Sequence, residues 1–352
     1  MRFHLIALPH TQVTKAFSSC AYSEKTLEFA NMMKSLGHEI YLYGSGDKTE
    51  ANVTEFISCL PEQDRIEAVG DRHYTSASFD NSLPHWQIFN RNAIAEIGKR
   101  IEQKDFICII GGLAQKPIAD AFPEHISVEY GIGYSGVFSR FKVFESHTWR
   151  SAVSAQNKNA ASIDINFYDT VINGYFNPAS FSYKESDRKY YLYMGRMTQR
   201  KGVDIASQAC ERLGVELIMA GSGDYIPKYG TYIGEVKADD RADLFREAIA
   251  TFTPTIYQEP FCNVHIQSMA VGTPVLTTDH GIFVETVQNG FNGFRCHILR
   301  DFVKKAEDVK SLDHKAIAID TYNKYSIDKI KYKYDEYFNR LLTLWEDGWY
   351  AL

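Results

Sequence analysis

The chain has 352 residues, 45% of them hydrophobic and 23% charged, with a formal net charge of −6 at pH 7. That length is the prior for two domains of ordinary size, and the composition suffices for two buried cores. The acidic balance argues against a general nucleic-acid binder, no apolar run approaches the roughly 20 residues that span a bilayer, and the six cysteines lack the spacing of a zinc site or a disulfide framework. A reducing cytoplasm is therefore the expected setting, and residues 2–9 read as a strand with a turn behind it, not as a signal peptide.

Residues 3–8 form the first predicted strand, followed by a loop carrying His10, Thr11 and Gln12. Leu27, Ala30, Met33 and Leu36 recur at three-residue steps, which predicts a helix over 21–36 that Gly37 stops. Residues 39–43 are the next strand. Strand, helix, strand at this spacing is a βαβ unit and implies a parallel sheet. Further strands are predicted at 53–60, 106–110, 126–130 and 170–172, and a helix at 86–101. Ligands bind beyond the carboxyl ends of strands in open parallel sheets. The loops at 10–12, 111–112 and 129–134 are therefore the acceptor-site candidates in this half, with His10, Thr11, Gln12, Glu129 and Tyr130 as the residues singled out. Residues 171–178 are a turn-rich break, and 183–189 a charged linker.

The second half opens with a strand at 190–194, a loop at 195–202 and a helix at 203–213. A strand at 216–220, a short strand and turn at 231–234, a helix at 241–250 and a strand at 252–257 follow. Glu259-Pro260 then opens a turn, because the residue before proline is pushed out of helical space. Asn263 reads as the N-cap of a short helix, 264–271, which Gly272 and Pro274 end. A strand starts again at 275. The product is strand, loop, helix, strand, with a carboxylate in the loop and free amides at the helix start, an arrangement that attracts anions. From residue 304 the chain reads as helical and aromatic.

This stretch, from Glu259-Pro260-Phe261-Cys262-Asn263 to Ala270-Val271-Gly272-Thr273-Pro274-Val275, resembles the donor-binding motif of retaining glycosyltransferase family 4. That motif is Glu, seven residues, Glu, then Ala-x-Gly-x-Pro-Val. Gln267 stands in place of the second glutamate, and Cys262-Asn263 in place of a Gly-Gly pair. The loop Gly195-Arg196 to Lys201-Gly202 resembles the family's Gly-Arg…Lys-Gly diphosphate clamp. The resemblance runs from about residue 190 to 294, and more weakly over the first half. There the first loop lacks the family's glycine pair, and no histidine follows the strand at 126–130. The fold it implies is α/β, two Rossmann-like domains facing a cleft (GT-B). An acceptor-binding domain would cover 1–174 and a nucleotide-sugar-binding domain 175–327, with a C-terminal helix at about 328–352 packed back on the first.

The function implied is transfer of a sugar from a UDP- or GDP-linked nucleotide-diphosphate sugar to an acceptor hydroxyl, with retention of configuration. A glycan, a lipid-linked or another hydroxyl compound is the implied acceptor, and the acidic charge disfavours a nucleic acid. Arg196 would grip two phosphate oxygens in a fork and Lys201 would supply a point charge, while Gly195 and Gly202 let the backbone come close. Glu259 would accept hydrogen bonds from donor-sugar hydroxyls; with Arg196 and Lys201 it makes the catalytic set. The amides of Cys262, Asn263 and Val264, beside Phe261, would face phosphate or sugar. Gln267 would face the ribose, and Tyr232 and Gly234 the base. Arg200 reads as solvated, and His265 and His280 as structural. Asp-x-Asp is absent from the chain, which suits phosphate neutralisation by side chains and amides, with neither metal nor cofactor. Two rivals share the frame: a nucleotide-sugar epimerase or hydrolase, and a non-catalytic nucleotide-sugar-binding protein. Fold alone does not separate them.

Overall fold

A computed structural model describes residues 1–70, 72–156, 166–236 and 238–346. Seven strands make the first sheet: β1 (Arg2–Ile6), β2 (Glu39–Ser45), β3 (Glu55–Leu60), β4 (Phe106–Ile109), β5 (Ile126–Ile132), β6 (Phe141–Phe144) and β7 (Thr170–Val171). They lie in the order β3-β2-β1-β4-β5-β6-β7, every pair parallel. Six strands make the second: β8 (Tyr190–Met194), β9 (Leu217–Ala220), β10 (Thr231–Tyr232), β11 (Ala248–Thr253), β12 (Val275–Thr278) and β13 (Gly293–Cys296). Their order is β10-β9-β8-β11-β12-β13, again all parallel.

Both sheets are covered on two faces, which is why their central strands are apolar without alternation. In β8, Tyr190, Leu192 and Met194 join one core cluster, while Tyr191 and Tyr193 join the other. The strand order reverses between β1 and β4 in one sheet and between β8 and β11 in the other. Loops leaving two such neighbours diverge, and the crevice they leave is where ligands of parallel sheets bind.

The chain divides into two compact units. One comprises Met1–Glu145, Val153–Ile172 and the chain from Lys331 onward; the other comprises Ser146–Ala152 and Asn173–Ile330. Ser146–Ala152 groups with the second unit because Glu285 accepts the N–H groups of His147 (3.0 Å) and Thr148 (2.7 Å), while Ser146 Oγ donates to the Pro260 carbonyl at 2.8 Å. The last long helix, Ile327–Leu342, buries Tyr334, Tyr337, Phe338 and Leu341 along one stripe. Phe338 meets Phe3 at 4.7 Å and Phe106 at 5.0 Å between ring centroids. The final residues of the helix expected at 328–352 lie outside the described ones. Among the described residues no helix is long and apolar enough to cross a membrane.

Three local expectations are corrected. The strand placed at 252–257 is β11, Ala248–Thr253, and the helix before it is Ala238–Arg246 instead of 241–250. Ala248 and Ala250 suit a helix as well as a central strand, but Pro254 lacks the N–H that a strand through it would need. Strand β6 was not foreseen; it has four residues, and its Lys142 breaks the apolar run. The helix expected at 264–271 is Asn263–Ala270, so the N-cap position falls on Cys262 and Asn263 caps nothing with its side chain.

Gly202 and Gly214 bracket the helix Val203–Leu213, both in the left-handed region at φ +73° and +64°. A Cβ on Gly214 would meet nothing within 4 Å, whereas one on Gly202 would stand 2.0 Å from the Pro254 carbonyl oxygen. Gly214→Ala should therefore cost about 1–2 kcal/mol, the left-handed penalty alone. Gly202→Ala should cost about 3 kcal/mol or more, since a backbone oxygen must also move. Urea denaturation of the two variants checks the order.

His265 sits fully buried in the helix Asn263–Ala270. Its Nδ1–H donates to the Cys262 carbonyl, and Nε2 is hydrogen-bonded to Thr286 Oγ1 at 2.8 Å. Burial pushes its pKa down to about 3, against the upward pull of the Cys262 carbonyl. A histidine depressed in this way keeps its full contribution above the unfolded value of about 6.5 and loses it as pH falls below that. The stability difference between wild type and His265→Gln should thus shrink by about 1.4 kcal/mol between pH 7.5 and 5.5. Denaturation at the two pH values measures it.

Candidate active site

The loops after β8 and β11 leave the second sheet at its switch point, and they are knitted together. Ile256 N–H donates to the Arg200 carbonyl at 3.0 Å, and Gly202 lies against Pro254. Lys201 ends a 3-10 turn, Gln199–Lys201, and Glu259 follows β11 by six residues. Lys201 Nζ reaches Glu259 Oε2 at 2.7 Å, so the two expected catalytic residues form one ion pair. Glu259 is 5% exposed. Burial alone would depress the Lys201 ammonium; the attraction of Glu259 more than reverses this and holds its pKa above the ordinary lysine value.

Two neighbours of this pair lie outside the expected set. Tyr257 donates its hydroxyl to Glu259 Oε1 at 3.0 Å, and burial together with that carboxylate raises the phenol's pKa. Arg200, expected to be merely solvated, places its guanidinium 4.6 Å from the centre of the Tyr257 ring. The available signal was an aromatic with a polar tip two residues before a carboxylate, and a cation beside Lys201.

Arg196 is exposed, and its guanidinium has no hydrogen-bond or ion-pair partner among the described residues. Its carbonyl accepts the Tyr193 hydroxyl at 2.8 Å, which pins the turn that starts at Gly195. At the start of the helix Asn263–Ala270 the N–H groups of Cys262 and Asn263 find no acceptor among the described residues. Two such donors at a helix N-terminus are an anion site. Cys262 is a buried thiol raised to about 12 by burial, so it is no nucleophile at neutral pH. Val264 is half-buried and packs against the core that holds Phe261, whose ring lies over Gly174. Gln267 is only 3% exposed, not a surface glutamine, and its amide makes no hydrogen bond among the described residues.

The residues expected near the base are tied to the loop after β9. Tyr232 donates its hydroxyl to the Gly221 carbonyl at 2.7 Å, and the Gly234 carbonyl accepts Gly221 N–H at 2.9 Å. Tyr232's hydroxyl and Gly234's carbonyl are thus already engaged. A cavity of about 350 Å³ in the same unit is lined by Ile205, Thr278, Asp279, Cys296, Leu299 and Phe302 among others. None of the expected donor residues lines it. Among the described residues no group of three or more His, Cys, Asp or Glu is placed to hold a metal.

In the first unit, His10 follows β1 at the switch point. It is buried against Phe79 and Trp86, and its Nδ1 lacks a hydrogen-bond partner among the described residues. Burial, with His85 and Arg65, pushes it down to about 4, so it is neutral. Thr11 Oγ1 pairs with Ser23 at 2.6 Å, and Gln12 Nε2 donates to Glu62 at 3.0 Å. Glu129 and Tyr130 do work inside the fold. Glu129 accepts Phe138 N–H (2.9 Å), Ser139 N–H (2.8 Å) and the Tyr134 hydroxyl (3.1 Å). Burial lifts its pKa to about 6 against those bonds. Tyr130 is fully buried, its ring centroid 4.4 Å from that of Phe29 and its hydroxyl on Thr26. Neither offers a free polar group to a ligand.

Comparison with known proteins places these features. Residues 179–324 match the sequence model of the family Glycosyl transferases group 1. An uncharacterized glycosyltransferase of Methanocaldococcus jannaschii is 30% identical over 125 residues, 31% of this chain and 32% of that protein. Glycogen synthase of Mycobacterium tuberculosis is 34% identical over 145 residues, 36% of this chain and 34% of that one. The chain thus spans about a third of the length of these curated relatives. Several solved structures match it nearly end to end, two of them as follows. Sucrose-phosphate synthase from Thermosynechococcus elongatus has TM-score 0.69 at 14% identity, over 97% of this chain and 99% of that one. The Anabaena protein HepE, solved with UDP and glucose, has TM-score 0.66 at 13% identity, over 96% and 99%. At such identities the likeness shows the fold. Residues 179–324 are thus similar to a glycosyltransferase group 1 domain, and the chain's two parallel-sheet α/β units match the fold of GT-B structures.

Proposed function

We propose that the protein is a retaining glycosyltransferase of family 4, moving a sugar from a UDP- or GDP-linked donor to an acceptor hydroxyl without a divalent metal. The observation that carries this reading is the Lys201–Glu259 pair at the switch point, 2.7 Å apart, inside the residues that match the glycosyltransferase group 1 family. Cation, carboxylate and open helix amides are the three things such a donor needs. As the glycosidic bond breaks, charge grows on the leaving diphosphate; Lys201, Arg196 and the amides of Cys262 and Asn263 stabilise it. Glu259 accepts from the sugar hydroxyls and fixes the ring, while Gln267 meets the ribose. The acceptor oxygen attacks from the face the diphosphate leaves, so configuration is kept. The acceptor is a glycan, a lipid-linked or another hydroxyl compound, bound through the first unit near His10. Six unpaired, buried cysteines support a reducing, cytoplasmic setting.

Lys201→Ala tests the reading. A hydrogen bond to a charged group is worth about 1.5–3 kcal/mol, so calorimetry should show nucleoside-diphosphate affinity falling about tenfold to a hundredfold. Affinity for the bare nucleoside should stay unchanged, since it has no phosphate to lose. Equal losses for both ligands, or none for either, would overturn the assignment. Transfer should also persist in excess chelator; loss that magnesium or manganese restores would refute metal independence.

A further inference from the structure

Glu259 is nearly buried, and its two oxygens are taken by donors of different kinds. Lys201's ammonium holds Oε2 at 2.7 Å, and Tyr257's hydroxyl holds Oε1 at 3.0 Å. The two differ in what they do when a diphosphate arrives. An ammonium on a flexible stem is drawn to the phosphate by its full charge; a neutral phenol carries none and is drawn far less. When Lys201 turns away, a buried carboxylate loses its cation, and such a charge left without a partner is costly. The Tyr257 hydroxyl is the donor that stays. The Arg200 guanidinium lies 4.6 Å from the centre of its ring, and Lys201 Nζ 5.2 Å from it.

We propose that Tyr257 is a positioning residue of the donor site: it holds Glu259 through Oε1 while Lys201 exchanges Oε2 for the donor diphosphate, and Arg200 holds the Tyr257 ring. This rests on the glycosyl-transfer reading above. One consequence is that diphosphate binding vacates Oε2, the oxygen then free to accept a sugar hydroxyl. Sugar recognition by Glu259 is thus conditional on the phosphate. A merely structural tyrosine has no such signature, because its loss would weaken nucleotide and nucleotide sugar alike.

The experiment is calorimetry with UDP, UDP-glucose, GDP and GDP-mannose on wild type, Tyr257→Phe and Arg200→Ala, with steady-state kinetics on whichever donor turns over. In Tyr257→Phe the nucleoside diphosphate should bind at least fivefold more weakly than to wild type, because Lys201 then leaves Glu259 with no donor. A sugar hydroxyl replaces the lost donor, so the affinity ratio of nucleotide sugar to nucleotide should rise at least threefold, while kcat, with Glu259 no longer positioned, should fall at least tenfold. Arg200→Ala, a change at an exposed side chain that leaves folding intact, should shift the ratio in the same direction by less. An unchanged ratio and kcat in Tyr257→Phe would overturn the proposal while leaving the glycosyl-transfer reading in place. An unchanged ratio in Arg200→Ala alone would remove Arg200 from it. Failure of wild type to bind any of the four ligands would overturn both proposal and reading.

Discussion

An ion pair between Lys201 and Glu259, closed off from most solvent, sets the terms for the edge of the second sheet where β8 and β11 end. Taking two charges out of water is expensive, and pairs of this kind seldom stabilise a fold more than apolar side chains would. Their presence at the switch point of a parallel sheet, with a phenol as third member, is therefore better explained by ligand chemistry than by folding energy. The pair also explains why the two loops are knitted so tightly. The Ile256–Arg200 backbone hydrogen bond and the contact of Gly202 with Pro254 hold both loops at a spacing the ammonium and carboxylate can bridge.

The same edge shows how a parallel sheet places chemistry without specialised scaffolding. Strands β8 and β11 are neighbours, yet 53 residues separate Met194 from Ala248 in the sequence numbering, because the chain first builds β9 and β10 on one side. Lys201 and Glu259 come from the two loops that this detour leaves side by side. Residues distant in sequence meet because of strand order, and short-range pattern carries no trace of it.

That limit explains what could be read in advance. The apolar runs of β1, β4 and β8 were legible because they are buried on both faces, and so was the helix stop at Gly214. The loop at 195–202 and the turn at Glu259 were legible as turns because glycine, proline and charge mark them locally. The contact of Tyr257 with Arg200 was not, since it is made across the two loops. Glu129 and Tyr130 were misjudged for a related reason. Position at the carboxyl end of a strand gave them access on paper, while three donors close over Glu129 and Phe29 packs on Tyr130. The Gln267 substitution was legible as a departure, but its burial came only from the packing of its helix.

The interleaving of the two units has a consequence for biosynthesis. The second unit needs Ser146–Ala152 from early in the chain and nothing beyond Ile330, whereas the first unit needs the chain from Lys331 onward. A ribosome delivers residues in order, so the unit begun first is finished last. At roughly 5–20 residues per second, Phe3 and Phe106 wait on the order of ten seconds or more for Phe338 to cover them. During that interval a nascent chain presents an aromatic sheet face that chaperones can hold. Loss of the C-terminal helix would then injure the N-terminal sheet, the part of the chain farthest from it in sequence.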